Sequence, residues 1–193
     1  MPWEKSFDVD GALTRAMHAF WANGYEATSM QDLVSATGVN RASLYATYGD
    51  KRAIFLSALR KYDRDVRRHM LAELARSDDP VGAIAAVFDR FIDQAGTEGT
   101  NWGCFLTNTA LELAAHDQEI AGLVAFAQAD LEAFFREQVA KGQVLGRLGD
   151  NHTAEELGKH LLASLLGLLV LIRSRPEPVF LNSIRDSALR LIE

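Results

Sequence analysis

A chain of 193 residues with 48% hydrophobic and 24% charged residues is long enough for one or two packed units and has an ordinary soluble composition. Its one cysteine, Cys104, excludes an intrachain disulfide framework, and no segment suggests a secretory signal or a bilayer-spanning run of roughly 20 apolar residues. Only four prolines among many alanines and leucines favour helices, so we expect an all-α, cytoplasmic protein without a membrane contact.

The net charge of −6 by itself argues against a nucleic-acid partner, but the distribution of charge reverses that argument. Residues 1–37 and 71–193 are acidic, whereas residues 38–70 carry eight basic and three acidic side chains. A local basic face can bind a phosphate backbone while the acidic remainder suppresses unspecific contact. For residues 60–68 a solvated charged helix is the alternative.

The first predicted helix ends at Gly24, and two short helices follow it, at about residues 29–37 and 41–47. In the turn between them, Gly38 suits a left-handed backbone and Asn40 can cap the second helix. Two short helices with a glycine turn form the helix-turn-helix arrangement, whose second helix can enter the DNA major groove. The expected core of this three-helix unit consists of Phe20, Tyr25, Leu33, Val39, Leu44 and Phe55.

Side chains at the start of a recognition helix face base edges, and here these are Asn40, Arg41, Ala42 and Ser43. Arg41 is the best candidate for direct readout of a base, because its guanidinium group can donate two hydrogen bonds, to O6 and N7 of guanine. It can equally hold a phosphate, which carries no sequence information. Gln31, near the start of the supporting helix, can reach an adenine or a phosphate.

Residues 9–59 resemble the DNA-binding domain of the tetracycline-repressor (TetR) family. The matching residues are Phe20, Gly24, Tyr25, Thr28, Ser29, Met30, Gly38, Val39, Asn40, Arg41, Ser43, Leu44, Tyr45, Tyr48 and Lys51. The resemblance implies that Tyr45, Thr47 and Lys51 contact the sugar-phosphate backbone, with half-buried packing as the alternative for Tyr45. At Tyr48 the chain departs from the family, which more often has phenylalanine at this position. Whether the additional hydroxyl reaches a phosphate is left open by the resemblance.

A long helix is predicted at about residues 51–76, with an apolar stripe of Phe55, Leu59, Tyr62, Val66 and Met70. The resemblance implies that this helix transmits ligand binding to the DNA-binding unit. Five more helices are expected, at about residues 81–94, 102–112, 116–141, 154–173 and 178–192. We therefore expect about nine helices, with residues 1–50 as the helix-turn-helix DNA-binding domain and residues 51–193 as a larger effector-binding and dimerisation domain.

The helix predicted at residues 102–112 places polar groups among apolar ones, and such groups need partners, either a ligand or neighbouring backbone. If the body encloses a ligand cavity, the expected lining residues are Phe88, Phe91, Phe105, Asn108 and Phe126.

The helix predicted at residues 154–173 is apolar on more than one face. The resemblance implies a homodimer in which the last two helices of each protomer form a four-helix interface. The expected interface residues are Leu161, Leu165, Leu168, Leu169 and Ile172. The alternative is a helix that is central in its own monomer.

Catalysis finds little support in the sequence. Cys104 and His116 lie roughly 18 Å apart along a continuous helix, which is too far for a nucleophile and its base. The five histidines show no metal-ligand spacing, and there is no phosphate-binding glycine loop. We therefore expect no enzyme activity, no cofactor and no metal.

The expected function is that of a ligand-responsive transcriptional regulator. A homodimer would bind a near-palindromic double-stranded DNA operator, and a small-molecule effector would release it. The resemblance implies that the regulator represses transcription. The alternative is a helical small-molecule-binding protein without operator function.

Overall fold

The computed structural model describes residues 7–95 and 101–192, and all regular elements in these ranges are helical. The helices are α1 (Val9–Asn23), α2 (Met30–Thr37), α3 (Arg41–Tyr48), α4 (Lys51–Tyr62), α5 (His69–Leu74), α6 (Pro80–Ala95), α7 (Phe105–Leu113), α8 (Gln118–Val144), α9 (Ala154–Ser174) and α10 (Pro178–Arg190). A π-helical segment, Asp63–Arg68, joins α4 to α5 in one continuous rod. With the rod counted once, the described ranges contain nine helices, which confirms the predicted all-α fold.

Local sequence sets the ends of the helix-turn-helix. Ser29 and Asp32 form a reciprocal capping box at the start of α2. Gly38 ends α2 in the left-handed conformation, with φ of 71°. Asn40 then caps α3 by accepting a hydrogen bond from the backbone N–H of Ser43, at 2.9 Å. The turn between the two helices therefore follows from side chains within its own sequence.

The helices α1 to α3 share a small aromatic and aliphatic core with the first turns of α4. Phe20 and Phe55 meet edge to face, with ring centroids 5.1 Å apart, and Tyr25 packs at the edge of this pair. The sequence-based prediction of the core is confirmed: Phe20, Phe55, Leu33, Val39 and Leu44 are buried, and the half-buried Tyr25 packs against them. We call this unit, residues 7–50 with the start of α4, the head, and the remaining described helices the body.

The π-helical segment changes which side of the rod faces the core. Its hydrogen bonds run from residue i to i+5, so it inserts an extra residue into the helical repeat. Tyr62 is fully buried, but Val66, one α-helical turn later, is turned out to solvent. Arg67 is buried in its place. The predicted apolar stripe is therefore wrong at Val66, because the expected spacing holds only for a regular α-helix.

The helix α9 lies at the centre of the body, where it packs against α6, α7, α8 and α10. By length and hydropathy alone it could also cross a membrane, but its apolar side faces the interior of the body. The five residues predicted to form the dimer interface are each 0–1% exposed within one protomer: Leu161, Leu165, Leu168, Leu169 and Ile172. Within one protomer these side chains belong to the core, which is the alternative of a helix that is central in its own monomer, and their part in a dimer interface stays a prediction.

An open groove of about 490 Å³ runs between the outer sides of α9 and α10. Its walls carry mainly small or apolar side chains: His160, Ser164, Gly167, Leu168, Leu171, Ser183, Ile184, Ser187, Ala188 and Leu191. Leu168 reaches the floor of this groove but is fully covered within the protomer. We call this surface the α9–α10 groove.

The helix α7 fastens the head to the body at both of its ends. Before its first turn, the carbonyl of Gly103 accepts a hydrogen bond from Trp21 Nε1, at 3.1 Å. Near its last turn, the carboxylate of Glu112 accepts hydrogen bonds from the backbone N–H groups of Tyr25 and Glu26, at 3.0 and 2.8 Å. A shift of α7 relative to the body therefore acts directly on the head.

Replacing Glu112 with alanine tests this attachment. Glu112→Ala should lower the free energy of unfolding by about 1–3 kcal/mol, because two backbone donors lose a charged acceptor. Hydrogen exchange at the amides of Tyr25 and Glu26 should accelerate in the variant. Glu73→Ala, at an exposed position of α5, serves as the control and should leave exchange at both amides unchanged. Unaltered exchange in Glu112→Ala would show that Glu112 does not hold the head.

Candidate functional site

The helix α3 presents its first turn to solvent and is anchored by a residue behind it. Asn40, Arg41 and Ala42 are exposed and Ser43 is half-buried, whereas Leu44 is buried in the core of the head. Gln31 is also exposed, on the first turn of α2. The side chains predicted to face base edges therefore lie on the outside of the head and not against the body.

Most of the basic side chains in residues 38–70 are already paired with carboxylates of the same chain. Six of the eight form ion pairs at 2.6–2.8 Å: Arg52, Arg60, Lys61, Arg64, Arg67 and Arg68. Within the described ranges, Arg41 and Lys51 are the two that form no ion pair. The basic block is therefore not a continuous positive face, and residues 60–68 fit the alternative of a locally balanced charged helix.

The residues predicted to contact the DNA backbone lie beyond the first turn of α3. Tyr45 is exposed, and Thr47 is half-buried. Lys51, at the start of α4, is half-buried, and its Nζ lies 4.3 Å from the centroid of the Tyr25 ring, in a cation–π contact. Burial and the nearby charge of Glu26 raise the pKa of Tyr25, so its ring faces Lys51 as a neutral phenol. Lys51 thus has an intramolecular partner as well as a position beside α3.

The hydroxyl of Tyr48 serves the packing of the head. It donates a hydrogen bond to the carbonyl of Val9, at 3.1 Å, and so ties the end of α3 to the start of α1. Burial, with the charges of Asp10 and Asp8, raises the pKa of Tyr48, so the hydroxyl keeps its proton and donates. The departure from the family's usual phenylalanine therefore adds an internal hydrogen bond.

Two family profiles match this architecture. Residues 12–58, which contain the helix-turn-helix, match the family described as "Bacterial regulatory proteins, tetR family". Residues 80–186, more than half of the chain, match the family described as "Tetracyclin repressor-like, C-terminal domain". The chain belongs to the TetR family. It is a DNA-binding transcriptional regulator with a helix-turn-helix, as the sequence resemblance predicted.

Relatives of this TetR-family chain include characterised and uncharacterised regulators. The HTH-type transcriptional repressor ComR of Escherichia coli is 33% identical over 158 residues, which cover 79% of this chain and 75% of ComR. The uncharacterized HTH-type transcriptional regulator YezE of Bacillus subtilis is 30% identical over 98% of both chains. A cysteine mutant of the TetR family regulator CifR, solved with a 26-base-pair operator DNA, superposes with a TM-score of 0.85. It is 26% identical over 98% of this chain and 99% of its own.

Four of the five residues predicted to line a ligand cavity are core residues in this TetR-family body. Phe88 and Phe91 are buried on the inner side of α6, and Phe105 packs edge-on against aromatic rings of α4. Asn108 donates a hydrogen bond from its side-chain amide to the carbonyl of Trp102, at 2.7 Å. Asn108 thus finds its partner in neighbouring backbone, which was the alternative to a ligand.

Phe126 lines an open cleft of about 300 Å³ between the rod and the helices α7 and α8. The arginine Arg68 lies over its ring, 4.8 Å from the centroid. We call this space the outer cleft, and its lining consists of Leu59, Arg60, Asp63, Arg64, Arg68, Leu106, Leu123 and Phe126. Three of these side chains are arginines on successive turns of the rod, and each is paired with a carboxylate, so the rim carries balanced charge over an apolar floor.

A second, much smaller cavity of about 20 Å³ lies deeper in the body. We call it the inner cavity, and its lining consists of Arg67, Cys104, Leu106, Thr107, Val124, Ala127, Gln128, Leu131 and Leu166. Leu106 lines both the outer cleft and the inner cavity. Sequence reasoning missed Arg67, because it stands in a run of charged residues and only the π-helical segment turns it inward. In the described ranges no group of three or more His, Cys, Asp or Glu side chains is arranged to hold a metal ion.

Proposed function

We propose that the protein is a cytoplasmic repressor that binds a near-palindromic operator as a homodimer and is released by a small-molecule effector. The observation that carries this proposal is the exposed first turn of α3, anchored by Leu44, with Arg41 free of ion pairs in the described chain. Support comes from CifR, which was solved with operator DNA, and from ComR, which is named a repressor.

In this proposal each head inserts α3 into a major groove. The residues assigned to base edges and neighbouring phosphates are Gln31, Asn40, Arg41, Ala42 and Ser43. Three further residues, Tyr45, Thr47 and Lys51, are assigned to the sugar-phosphate backbone. Two heads in one dimer then read two half-sites separated by one helical turn of DNA, or a multiple of it.

The α9–α10 groove is the surface that we assign to the exposed part of the dimer interface. Its exposed positions Gly167, Ser183 and Ser187, and the half-buried Ser164, carry a short side chain or none. Short side chains allow the backbone of a partner helix to approach closely. Two grooves facing each other would form a four-helix interface between protomers. The buried leucines of α9 would support this interface from within each protomer.

Release by an effector requires a ligand that binds one conformer of the dimer better than the other. The helix α7 is placed to convert such binding into a movement of the head. Its residues Leu106 and Thr107 line the cavities of the body, while Gly103 and Glu112 at its two ends hold the head. A ligand that displaces α7 would therefore change the relative placement of the two heads on DNA.

The proposal is tested by mixing purified protein with sheared DNA of the source genome and sequencing the retained fragments. At moderate ionic strength, a small set of fragments with a near-palindromic site should be enriched over random duplex. A protein that retains all fragments equally, or none, would contradict operator binding.

Lys51 provides a test of the backbone contacts. Lys51→Ala should flatten the dependence of log K on log salt concentration by about one unit per protomer, because one phosphate contact is lost. Arg52→Ala is the control, since Arg52 already pairs with Asp117 and Glu119 and should leave the slope unchanged. If Lys51→Ala lowers the melting temperature but not the slope, Lys51 serves the contact with Tyr25 and not the DNA.

A further inference from the structure

The turn of the helix-turn-helix is held from outside by Arg15, in the middle of α1. Its guanidinium donates two hydrogen bonds to the backbone carbonyl of Thr37, from Nε at 3.1 Å and from Nη2 at 3.0 Å. Thr37 is the last residue of α2 and lies 22 positions further along the chain. Among the described side chains Arg15 pairs with no carboxylate, so this carbonyl is the group that its charge stabilises.

The C-terminal end of α2 needs a partner of this kind. Carbonyl groups in the last turn of a helix have no acceptor role within the helix, and the helix dipole favours positive charge there. The last turn of α2 contains no basic residue, so Arg15 supplies both donors and charge from the neighbouring helix. The hydroxyl of Thr37 donates to the carbonyl of Leu33, at 2.6 Å, and accepts from the backbone N–H of Val39, at 3.2 Å. Arg15 is therefore linked to both sides of the turn through one residue.

The helix α3 is attached to α1 at two separate points. It begins four residues after Thr37 and ends at Tyr48, whose hydroxyl donates to the carbonyl of Val9. The positions of Arg15 and Val9 lie six residues apart, which is about 9 Å along the axis of α1. Between these two attachments, Leu44 is buried in the head. Two separated contacts fix the direction of α3, whereas one contact alone would leave the helix free to tilt about Leu44.

We propose that Arg15 is a positioning residue for DNA recognition, which sets the angle at which α3 enters the major groove. This inference rests on the proposed function, because that function assigns α3 to the groove. The eight residues of α3 span about 12 Å, so a tilt of about 10° moves one end of the helix by about 2 Å. Such a displacement breaks a hydrogen bond to a base edge, whose donor and acceptor must lie about 3 Å apart.

Contacts with bases and contacts with phosphates respond differently to such a tilt. Hydrogen bonds to base edges depend on distance and angle, and they carry the sequence preference. The attraction of basic side chains to the phosphate backbone acts over longer distances and is independent of sequence. The loss of Arg15 should therefore lower the ratio of operator affinity to random-duplex affinity, while the affinity for random duplex stays near its parent value.

The test measures both affinities of the full-length protein by fluorescence anisotropy. The probes are a genomic fragment enriched in the retention experiment and a random duplex of the same length, each at several salt concentrations. Arg15→Ala should weaken binding of the enriched fragment at least about tenfold and change binding of the random duplex less than about twofold. Arg90→Ala is the matched control, since it removes an exposed arginine from α6 in the body, and it should bind both duplexes as the parent protein does.

Two results for Arg15→Ala would overturn the proposal. An equal loss of affinity for both duplexes, with a salt slope lower by about one unit per protomer, would make Arg15 a phosphate contact. A lower melting temperature with an unchanged affinity ratio would limit Arg15 to stabilising the head. If Arg15→Ala does not fold, Arg15→Lys decides, because lysine keeps the charge but replaces the two donors by one nitrogen. An affinity ratio at least about threefold below the parent would then support the proposal, and an unchanged ratio would contradict it.

The parent protein distinguishes this inference from the operator proposal. If the parent prefers the enriched fragment and Arg15→Ala prefers it equally, the inference about Arg15 is wrong and the operator proposal stands. If the parent retains no fragment in preference to random duplex, the operator proposal itself is wrong and the inference falls with it.

Discussion

Gly167→Arg should convert the protein into a folded monomer that binds its operator far more weakly. Gly167 is exposed in the α9–α10 groove, and a Cβ built there meets no atom within 4 Å in the same protomer. The protomer therefore has room for the new side chain, and replacing a mid-helix glycine even stabilises a helix by roughly 0.5–1 kcal/mol. A long charged side chain at the centre of a close helix contact, in contrast, prevents a partner from docking.

The loss of the dimer should weaken operator binding by about 10²–10⁴-fold, because a single head no longer benefits from its tethered partner. Sedimentation velocity gives the oligomeric state, and thermal unfolding shows that the variant is folded. Gly122→Arg is the matched control: Gly122 is an exposed glycine within α8 and also has no atom within 4 Å of a built Cβ. A Gly167→Arg protein that sediments as a dimer would exclude the α9–α10 groove as the interface.

Arg41→Ala should weaken operator binding by about 1–3 kcal/mol for each half-site and relax the preference at one base position. Arg41 is exposed at the start of α3, and its guanidinium forms no ion pair within the described residues. It is therefore available to pair with guanine O6 and N7, unlike the paired arginines of the rod.

The measurement is fluorescence anisotropy with the retained operator and with variants at each position of one half-site. Arg136→Ala, at an exposed position in the middle of α8, is the control and should bind like the parent protein. If Arg41→Ala lowers the affinity for every sequence by the same factor, Arg41 holds a phosphate and base readout lies elsewhere on α3.

The head could be predicted from the sequence because its structure depends on short-range signals. Gly38 and Asn40 fix the turn by their own conformation and hydrogen bonds, and these act within a few residues. The core of the head follows from the spacing of apolar residues on three neighbouring helices. The body helices were also predicted closely, since loops and caps such as Thr153 with Glu156 mark their ends.

The surfaces of the body could not be predicted in the same way. Spacing shows that α9 is apolar on more than one side, but not which side meets its own protomer and which meets a partner. Leu165 was therefore assigned to the dimer interface, although it is fully buried in the protomer. Only the packing of α9 among its neighbours separates the two sides.

Long-range charge pairing and the π-helical segment also escape sequence reasoning. Arg60 appears free in the sequence, but its partner Glu119 lies 59 residues away. Arg67 is turned inward by one inserted residue in the helical repeat, and no local pattern marks that insertion. The cavities of the body therefore emerged from the three-dimensional packing, whereas the DNA-binding surface emerged from the sequence.

Chemical footprinting of the retained operator tests most directly whether two α3 helices read one DNA. Dimethyl sulfate, which methylates guanine N7 in the major groove, is applied with and without the protein. We expect two protected major-groove patches on one face of the duplex, separated by one helical turn or a multiple of it, and both should fade in Gly167→Arg. A single patch, or retention of the fragment without any major-groove protection, would contradict the account.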